Sequence, residues 1–130
     1  MASHVPRPLS GESDIRDIEA KVRFFAEARN WSQFHSPRNL VLALVGEVGE
    51  LAAEFQWLAD DEAVREHISD EKLASIEEEL ADVLIYLVRL ADVLGVQLGH
   101  AVSNKIEKNG NRYPVDEFRD SRRKAPHPSE

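Results

Sequence analysis

The sequence predicts an all-α protein built like a four-helix bundle. Apolar residues recur at helical spacing along four stretches of the chain, and residues that cap or end helices bound these stretches. No stretch shows the strict apolar–polar alternation of a half-buried strand. With 130 residues, of which 42% are hydrophobic and 31% charged, the chain has the size and composition of a single helical domain. We expect that domain at residues 13–119.

The first predicted helix follows a flexible N-terminal arm. Residues 1–12 contain prolines and a glycine but no hydrophobic segment, which predicts a mobile arm rather than a signal peptide. Ser13 or Asp14 can cap the helix after it. Its apolar face ends near Asn30 and consists of Ile15, Ile18, Val22, Phe25 and Ala26.

The second predicted helix runs from about Arg38 to Leu58, capped by Ser36 with Pro37 in its first turn. The loop before it, WSQFH at residues 31–35, is either a hydrophobic plug at one end of the bundle or part of a pocket. Two interior glycines, Gly46 and Gly49, indicate close approach of another helix, a backbone or a ligand. The predicted core face comprises Val41, Leu44, Val48, Leu51, Phe55 and Leu58.

The third helix is predicted from Asp70 to Leu94, after a polar connector with one helical turn, a cap at Ser69, and a stop at Gly95. Its predicted core face comprises Ile76, Leu80, Val83, Leu87, Leu90 and Leu94. The fourth helix fits Gln97 to Lys108, and we expect Gly110 to break it. Residues 120–130 read as a disordered tail.

Two carboxylate pairs are the strongest chemical signal in the sequence. Glu47 and Glu50 lie on the second helix, and Glu79 and Asp82 on the third. Three residues advance a helix by about 300° and about 4.5 Å, so each pair lies on one face, one turn apart. Both pairs lie about 100° to the same side of their core stripes, so antiparallel packing can bring all four carboxylates together.

Acids placed so closely repel one another, which indicates a cation between them. Oxygen-only ligands suit Mg²⁺ or Mn²⁺, and such ions commonly act on phosphates. Glu54 and Glu78 are either further ligands, a general base or solvated acids. A di-iron site would need Glu-x-x-His pairs, and neither carboxylate pair has a histidine at that spacing.

Composition excludes several classes of function. The net charge of −8 argues against nucleic-acid binding, and the lack of cysteine excludes disulfides, thiolate nucleophiles and zinc–thiolate sites. No apolar run is long enough to cross a membrane. We therefore expect a cytoplasmic protein with neither a nucleic-acid nor a membrane partner.

Two further groups of residues have both functional and structural interpretations. Cations and amides near the C-terminal end of the domain are suited to phosphates, although helix-dipole compensation explains them equally well. These are Lys105, Asn109, Arg112 and Tyr113. Aromatic residues and a histidine are suited to a nucleobase, although core packing explains Trp57 and Tyr86 better. These are Trp31, His35, Trp57 and Tyr86.

Taken together, these motifs resemble the all-α nucleoside triphosphate pyrophosphohydrolases, the MazG-like group, and within it the members that act on dCTP. The two carboxylate pairs carry the resemblance, together with further segments between residues 15 and 114. Those segments are WSQFH (31–35), PRNL (37–40), LALVGEVGEL (42–51), FQW (55–57), EELADVLIYL (78–87), Lys105, Asn109 and RYP (112–114).

The resemblance implies a Mg²⁺-dependent enzyme that cleaves a nucleoside triphosphate between its α and β phosphates, with dCTP or 5-modified dCTP preferred. It implies that the four carboxylates bind the metal, with Glu50 as a hypothetical base for the attacking water. It implies that residues 105, 109, 112 and 113 hold phosphates and sugar. Trp31, His35, Trp57 and Tyr86 would surround the base, and Arg38 and Asn39 would serve either group. It also implies a homodimer or homotetramer.

This sequence departs from the dCTP-preferring pattern in two places, the segment before Tyr113 and the connector at residues 60–69. Both departures bear on base preference more than on the reaction. The alternatives are a broad-specificity MazG-like pyrophosphohydrolase and a non-catalytic helical assembly module.

Overall fold

The computed structural model describes residues 14–126, which are helical and contain no strand. The predicted all-α class is therefore confirmed. The described chain forms two compact units, residues 14–96 and residues 97–126. The predicted arm at 1–12, the alternative cap Ser13 and the last tail residues, 127–130, lie outside the described residues.

The first unit contains three long helices and two 3₁₀ turns. The helices are α1 (Ile15–Ala28), α2 (Pro37–Ala53) and α3 (Asp70–Val93), and the 3₁₀ turns are Trp31–Phe34 and Arg65–His67. α3 packs against both α1 and α2, so it is the central helix of this unit. The second 3₁₀ turn is the single helical turn predicted for the connector.

Side-chain caps begin all three helices where the sequence predicts them. Asp14 accepts a hydrogen bond from the backbone N–H of Asp17 at 3.0 Å. Ser36 and Ser69 each accept one from the residue three positions on, both at 3.1 Å. Each cap satisfies a backbone donor that the helix leaves unpaired, so the start of each helix is fixed locally.

The end of α2 comes earlier than predicted. The helix stops at Ala53 rather than near Leu58, because the next backbone N–H groups bond three residues back instead of four. Glu54 N–H donates to Leu51 O at 3.1 Å, and Phe55 N–H to Ala52 O at 3.0 Å. Tightening of this kind is a common way for a last turn to use its free carbonyls.

The predicted core stripes of α2 and α3 are partly wrong. The buried apolar side chains of these two helices are Leu40 on α2 and Ile76, Val88 and Ala91 on α3. Several predicted core residues are exposed instead: Val41, Val48, Leu80, Leu87 and Leu94. Both helices carry apolar residues on more than one face, so periodicity alone could not select the face that packs within the chain.

The second unit contains α4 (Leu98–Arg112) and a short helix, α5 (Val115–Phe118), which the sequence did not predict. Gly110 does not break α4, contrary to expectation. α4 ends instead at Arg112, because the next residue, Tyr113, has a φ of −122° and a ψ of 67°, which are not helical. Pro114 follows, and a proline disfavours the helical conformation of the residue before it.

Residues 120–126 of the predicted tail contain no regular element, but Ala125 is buried. No helix between residues 14 and 126 combines the length and the apolarity that a bilayer span requires.

Candidate metal centre

Three of the four predicted carboxylates, two on α2 and one on α3, meet between these helices. Carboxylate oxygens of Glu47, Glu50 and Glu79 lie within 4.8 Å of one another. Asp82, the fourth acid, lies close enough for its negative charge to raise the pKa of both Glu47 and Glu79. The register of the two helices therefore brings together three of the four acids, whereas the sequence could place them only on the same side of the two helices.

Two oxygens of this cluster are buried without a partner. Glu47 Oε2 and Glu79 Oε2 are shielded from solvent and accept no hydrogen bond from residues 14–126. Burial raises the pKa of Glu47 and of Glu79 above the ordinary value, and the negative charges of Glu50 and Asp82 raise both pKa values further. An acceptor left unpaired in a protein interior is unfavourable, so such groups normally have a partner.

A divalent cation fits this arrangement. It would pair with both orphaned oxygens and offset the mutual repulsion of the acids. The cluster supplies carboxylate oxygens from one half-buried acid on each helix and from the exposed Glu50. Hard cations such as Mg²⁺ and Mn²⁺ prefer an all-oxygen ligand set of this kind.

Glu54 and Glu78, the two flanking acids, differ in their surroundings. Glu54 forms an ion pair with Lys72, at 2.7 Å between Oε2 and Nζ. Glu54 is therefore already paired with a cation from the chain itself. Glu78 is exposed on α3, which agrees with its interpretation as a solvated acid.

The residues predicted to surround a base all lie in the first unit. Trp31 is in the first 3₁₀ turn and packs edge-on against Phe25, with the ring centroids 5.7 Å apart. His35, at the end of that turn, is half-buried, as is Tyr86 on α3. Trp57 lies beyond α2 and is 87% exposed, so its interpretation as a core residue is wrong.

The two residues after Pro37 have different surroundings. Arg38 is exposed at the start of α2. Asn39 donates a hydrogen bond from Nδ2 to the backbone O of Phe34 at 3.1 Å. Asn39 therefore ties the 3₁₀ turn to α2, which keeps the segment that carries Trp31 and His35 in a defined place.

Arg89, a cation of α3 that is only 6% exposed, was not among the predicted site residues. Its guanidinium donates hydrogen bonds to His35 and to Ser32 of the first 3₁₀ turn. The available signal was an arginine amid apolar residues with an acid, Asp92, three positions on. A cation on the apolar part of a helix must find partners, so this pattern marks a buried polar contact.

The residues predicted to hold phosphates lie in the second unit. A cleft of about 810 Å³ in this unit is lined by Lys105, Asn109 and Arg112. Lys108 and Arg123, which were not predicted as site residues, also line it. The excess of cations over acids in the lining suits an anionic ligand.

The segment after α5 contacts two of the predicted phosphate-binding residues. Arg112 Nη2 donates to the backbone O of Ala125 at 2.7 Å, and the Ala125 N–H donates to the Tyr113 hydroxyl at 3.3 Å. Arg112 Nε is buried and has no partner among residues 14–126. Arg112 thus retains one donor that the chain itself does not use.

An all-helical fold whose second and third helices present a converging carboxylate cluster defines a helical protein with a candidate metal site. The model of the MazG-like family matches residues 43–126. The chain belongs to the MazG-like family.

The comparisons with individual proteins agree with this family. The chain is 50% identical over 116 residues to dCTP pyrophosphatase 1 of Homo sapiens, covering 89% of this chain and 68% of that protein. It is 50% identical over 110 residues to dCTP pyrophosphatase 1 of Bos taurus, covering 85% of this chain and 65% of that protein. The chain thus spans about two thirds of the length of these relatives.

A solved structure, a pyrophosphatase from Archaeoglobus fulgidus, is also similar. The likeness has a TM-score of 0.71 at 34% identity and covers 83% of this chain and 99% of that one. The helical arrangement described above is therefore found in a protein whose name states a pyrophosphatase activity.

Proposed function

We propose that this protein is a Mg²⁺-dependent pyrophosphohydrolase that converts dCTP, or dCTP modified at C5, to the monophosphate and pyrophosphate. The observation that carries the proposal is the converging acid cluster with two buried, unpartnered oxygens. The relatives named dCTP pyrophosphatase 1, at 50% identity, support the substrate. Such an enzyme would act on the nucleotide pool of the cytoplasm.

In this proposal, Glu47, Glu50, Glu79 and Asp82 hold Mg²⁺, or Mn²⁺ in its place. The bound cation would offset phosphate charge and make a water molecule a better nucleophile at neutral pH. Glu47 and Glu79 are the more buried acids of the cluster, and Glu50 is the exposed one. We therefore assign Glu50 the role of accepting a proton from the attacking water.

The residues proposed to contact the substrate fall into two groups, one in each unit. We propose that Lys105, Asn109 and Arg112 bind the phosphates that do not react, supported by the basic lining of their cleft. Tyr113 is proposed to contact the sugar. We assign the base to Trp31, His35, Trp57 and Tyr86, with Arg38 beside them. The high exposure of Trp57 agrees with a side chain kept for a ligand or a partner.

We also propose that the protein is a homodimer or homotetramer. Val41, Val45 and Val48 follow helical spacing along one face of α2, and all three are exposed. Apart from the chain neighbours and the nearby backbone of α2 itself, no heavy atom of the described chain lies within 4 Å of the position a Cβ at Gly46 or Gly49 would take. An exposed apolar helix face with this much open space suits packing against a second copy.

The test of the proposed function is pyrophosphate release from canonical and modified nucleoside triphosphates, with Mg²⁺ and with chelator. We expect chelator-sensitive release, fastest from dCTP or a 5-substituted analogue. Comparable release from many bases would indicate the broad-specificity alternative. No release from any triphosphate would contradict the proposal and leave the helical assembly module.

A further inference from the structure

Arg89 is a buried cation whose guanidinium contacts the segment before α2 and Asp92 of its own helix. Its Nε donates to His35 Nδ1 at 3.0 Å, and its Nη2 donates to Ser32 Oγ at 3.2 Å. Its Nη1 donates to Asp92 Oδ2 at 3.2 Å. Because all three nitrogens have partners on two elements, the guanidinium has a fixed position and orientation.

Asp92 is itself fixed from the other side by α1. Arg23 donates to both of its oxygens, from Nε at 2.7 Å and from Nη2 at 2.8 Å. Arg23 Nη2 also donates to Glu19 Oε1 at 3.0 Å. Two arginines and two acids therefore balance in charge, which keeps the cation beside His35 without a net charge in the network.

This contact determines the protonation state of His35. An arginine can only donate hydrogen bonds, so His35 Nδ1 must be an unprotonated acceptor. The ring proton of the neutral imidazole then lies on Nε2. Burial, and then the positive charge of Arg89, lower the pKa of His35 below its ordinary value, which agrees with a neutral ring.

We propose that Arg89 is a positioning residue for base selection, because it holds His35 as a neutral ring whose remaining nitrogen can only donate. The inference rests on the proposed function, which places His35 against the base. A ring restricted to donation suits cytosine, whose N3 and O2 are both acceptors. The N3 of thymine or uracil carries a proton and would leave that donor facing another donor.

The first test measures the tautomer of His35 without using activity. Long-range ¹H–¹⁵N NMR of the full-length protein distinguishes the two ring nitrogens of a histidine. The signals of His35 are assigned as those that disappear in His35→Asn. We expect an unprotonated Nδ1 and a protonated Nε2 at pH 7. In Arg89→Met we expect the tautomers to mix and the pKa of His35 to rise. A protonated Nδ1 in the unmodified protein would overturn the proposal.

The second test measures selection by kinetics. In Arg89→Met, we expect the KM for dCTP to rise about tenfold while kcat changes less than about twofold, the loss of roughly one hydrogen bond to substrate. The ratio of kcat/KM for dCTP to that for dUTP should fall by a similar factor.

The matched control is Arg23→Met, which removes the other arginine on Asp92 but does not contact His35. Both variants should melt at a lower temperature, and only Arg89→Met should change the tautomer, the KM and the base preference. Equal kinetic effects in the two variants, or none in Arg89→Met, would make Arg89 merely structural and overturn the proposal. If the unmodified protein hydrolyses no dCTP, the proposed function fails and base selection fails with it. The NMR result still decides whether Arg89 holds His35.

Discussion

At the scale of single residues, Glu47 and Glu79 have the surroundings that differ most from those of ordinary surface acids. Their pKa values are raised in the folded chain, chiefly by burial. The folded chain therefore binds protons more tightly than the unfolded chain does. It follows that, without metal, these groups make the fold less stable as pH rises from the unfolded pKa through the raised folded pKa.

Glu47→Gln or Glu79→Gln should consequently raise the melting temperature of the metal-free protein at neutral pH and reduce its pH dependence. The same changes should lower dCTP turnover by about a hundredfold or more, because a metal ligand is lost. Melting in chelator at pH 5 and pH 8 tests the effect on stability, and dCTP turnover tests the ligand role. Glu78→Gln, a change at an exposed acid of α3, is the control. Full turnover in either variant would show that the ligand assignment is wrong.

For Trp57 we expect an effect on substrate binding without an effect on stability, because it is the most exposed aromatic side chain of the described chain. Trp57→Ala should leave the melting temperature of a dilute, unassembled sample unchanged, since little buried contact is lost. If Trp57 holds the base, the KM for dCTP should rise several-fold. A stability loss as large as that of a core substitution, such as Leu40→Ala, would instead place Trp57 in a packed environment.

At the scale of helices and turns, the features predicted well are those that depend on a few adjacent residues. Ser36 with Pro37, and Ser69 before its acids, fix where α2 and α3 begin, whatever the rest of the chain does. Gly110 shows the limit of such reasoning, because glycine permits a helix to end without requiring it. The end of α4 was instead determined by Pro114, so the proline was the stronger signal.

The glycines of α2 give a prediction at this scale. A Cβ at Gly46 or Gly49 would meet nothing within 4 Å in the described chain beyond its chain neighbours and the nearby backbone of α2. Either change to alanine should therefore stabilise the isolated chain by about 1 kcal/mol through helix propensity. Gly95→Ala is the control, since its φ of +70° should make alanine cost about 1 kcal/mol.

The same glycine variants test why two glycines lie inside a helix at all. If a second copy or the substrate approaches α2 closely, Gly46→Ala or Gly49→Ala should weaken assembly or raise the KM while the chain itself becomes more stable. Gel filtration and pyrophosphate release would measure these effects. Unchanged assembly and kinetics would show that the space beside both glycines stays open.

At the scale of the whole molecule, the sequence predicted which helices carry the acids but not which faces are buried. Leu40 is 1% exposed and Val48 46% exposed, although Val48 lies on the predicted core stripe and Leu40 does not. A periodic apolar stripe shows that a face will be covered without showing by what. The acid cluster was easier to predict, because both pairs had to lie on the same side of two packed helices. The Arg89 network required contacts between residues far apart in sequence, which no local pattern contains.

The last prediction concerns the valine face of α2, which consists of the exposed Val41, Val45 and Val48. Val45 is 63% exposed in the single chain, so Val45→Glu should not disturb the core, and the variant should stay helical. If the valine face lies between copies, a buried unpaired charge there should shift the protein to monomers. Light scattering with gel filtration over a hundredfold concentration range would detect that shift, with Glu66→Lys, an exposed change on the second 3₁₀ turn, as the control. An oligomer unaffected by Val45→Glu would show that the valine face of α2 faces solvent. The apolar groove between α1 and α3, lined by Val22, Phe25 and Ile85, would then be the surface to test.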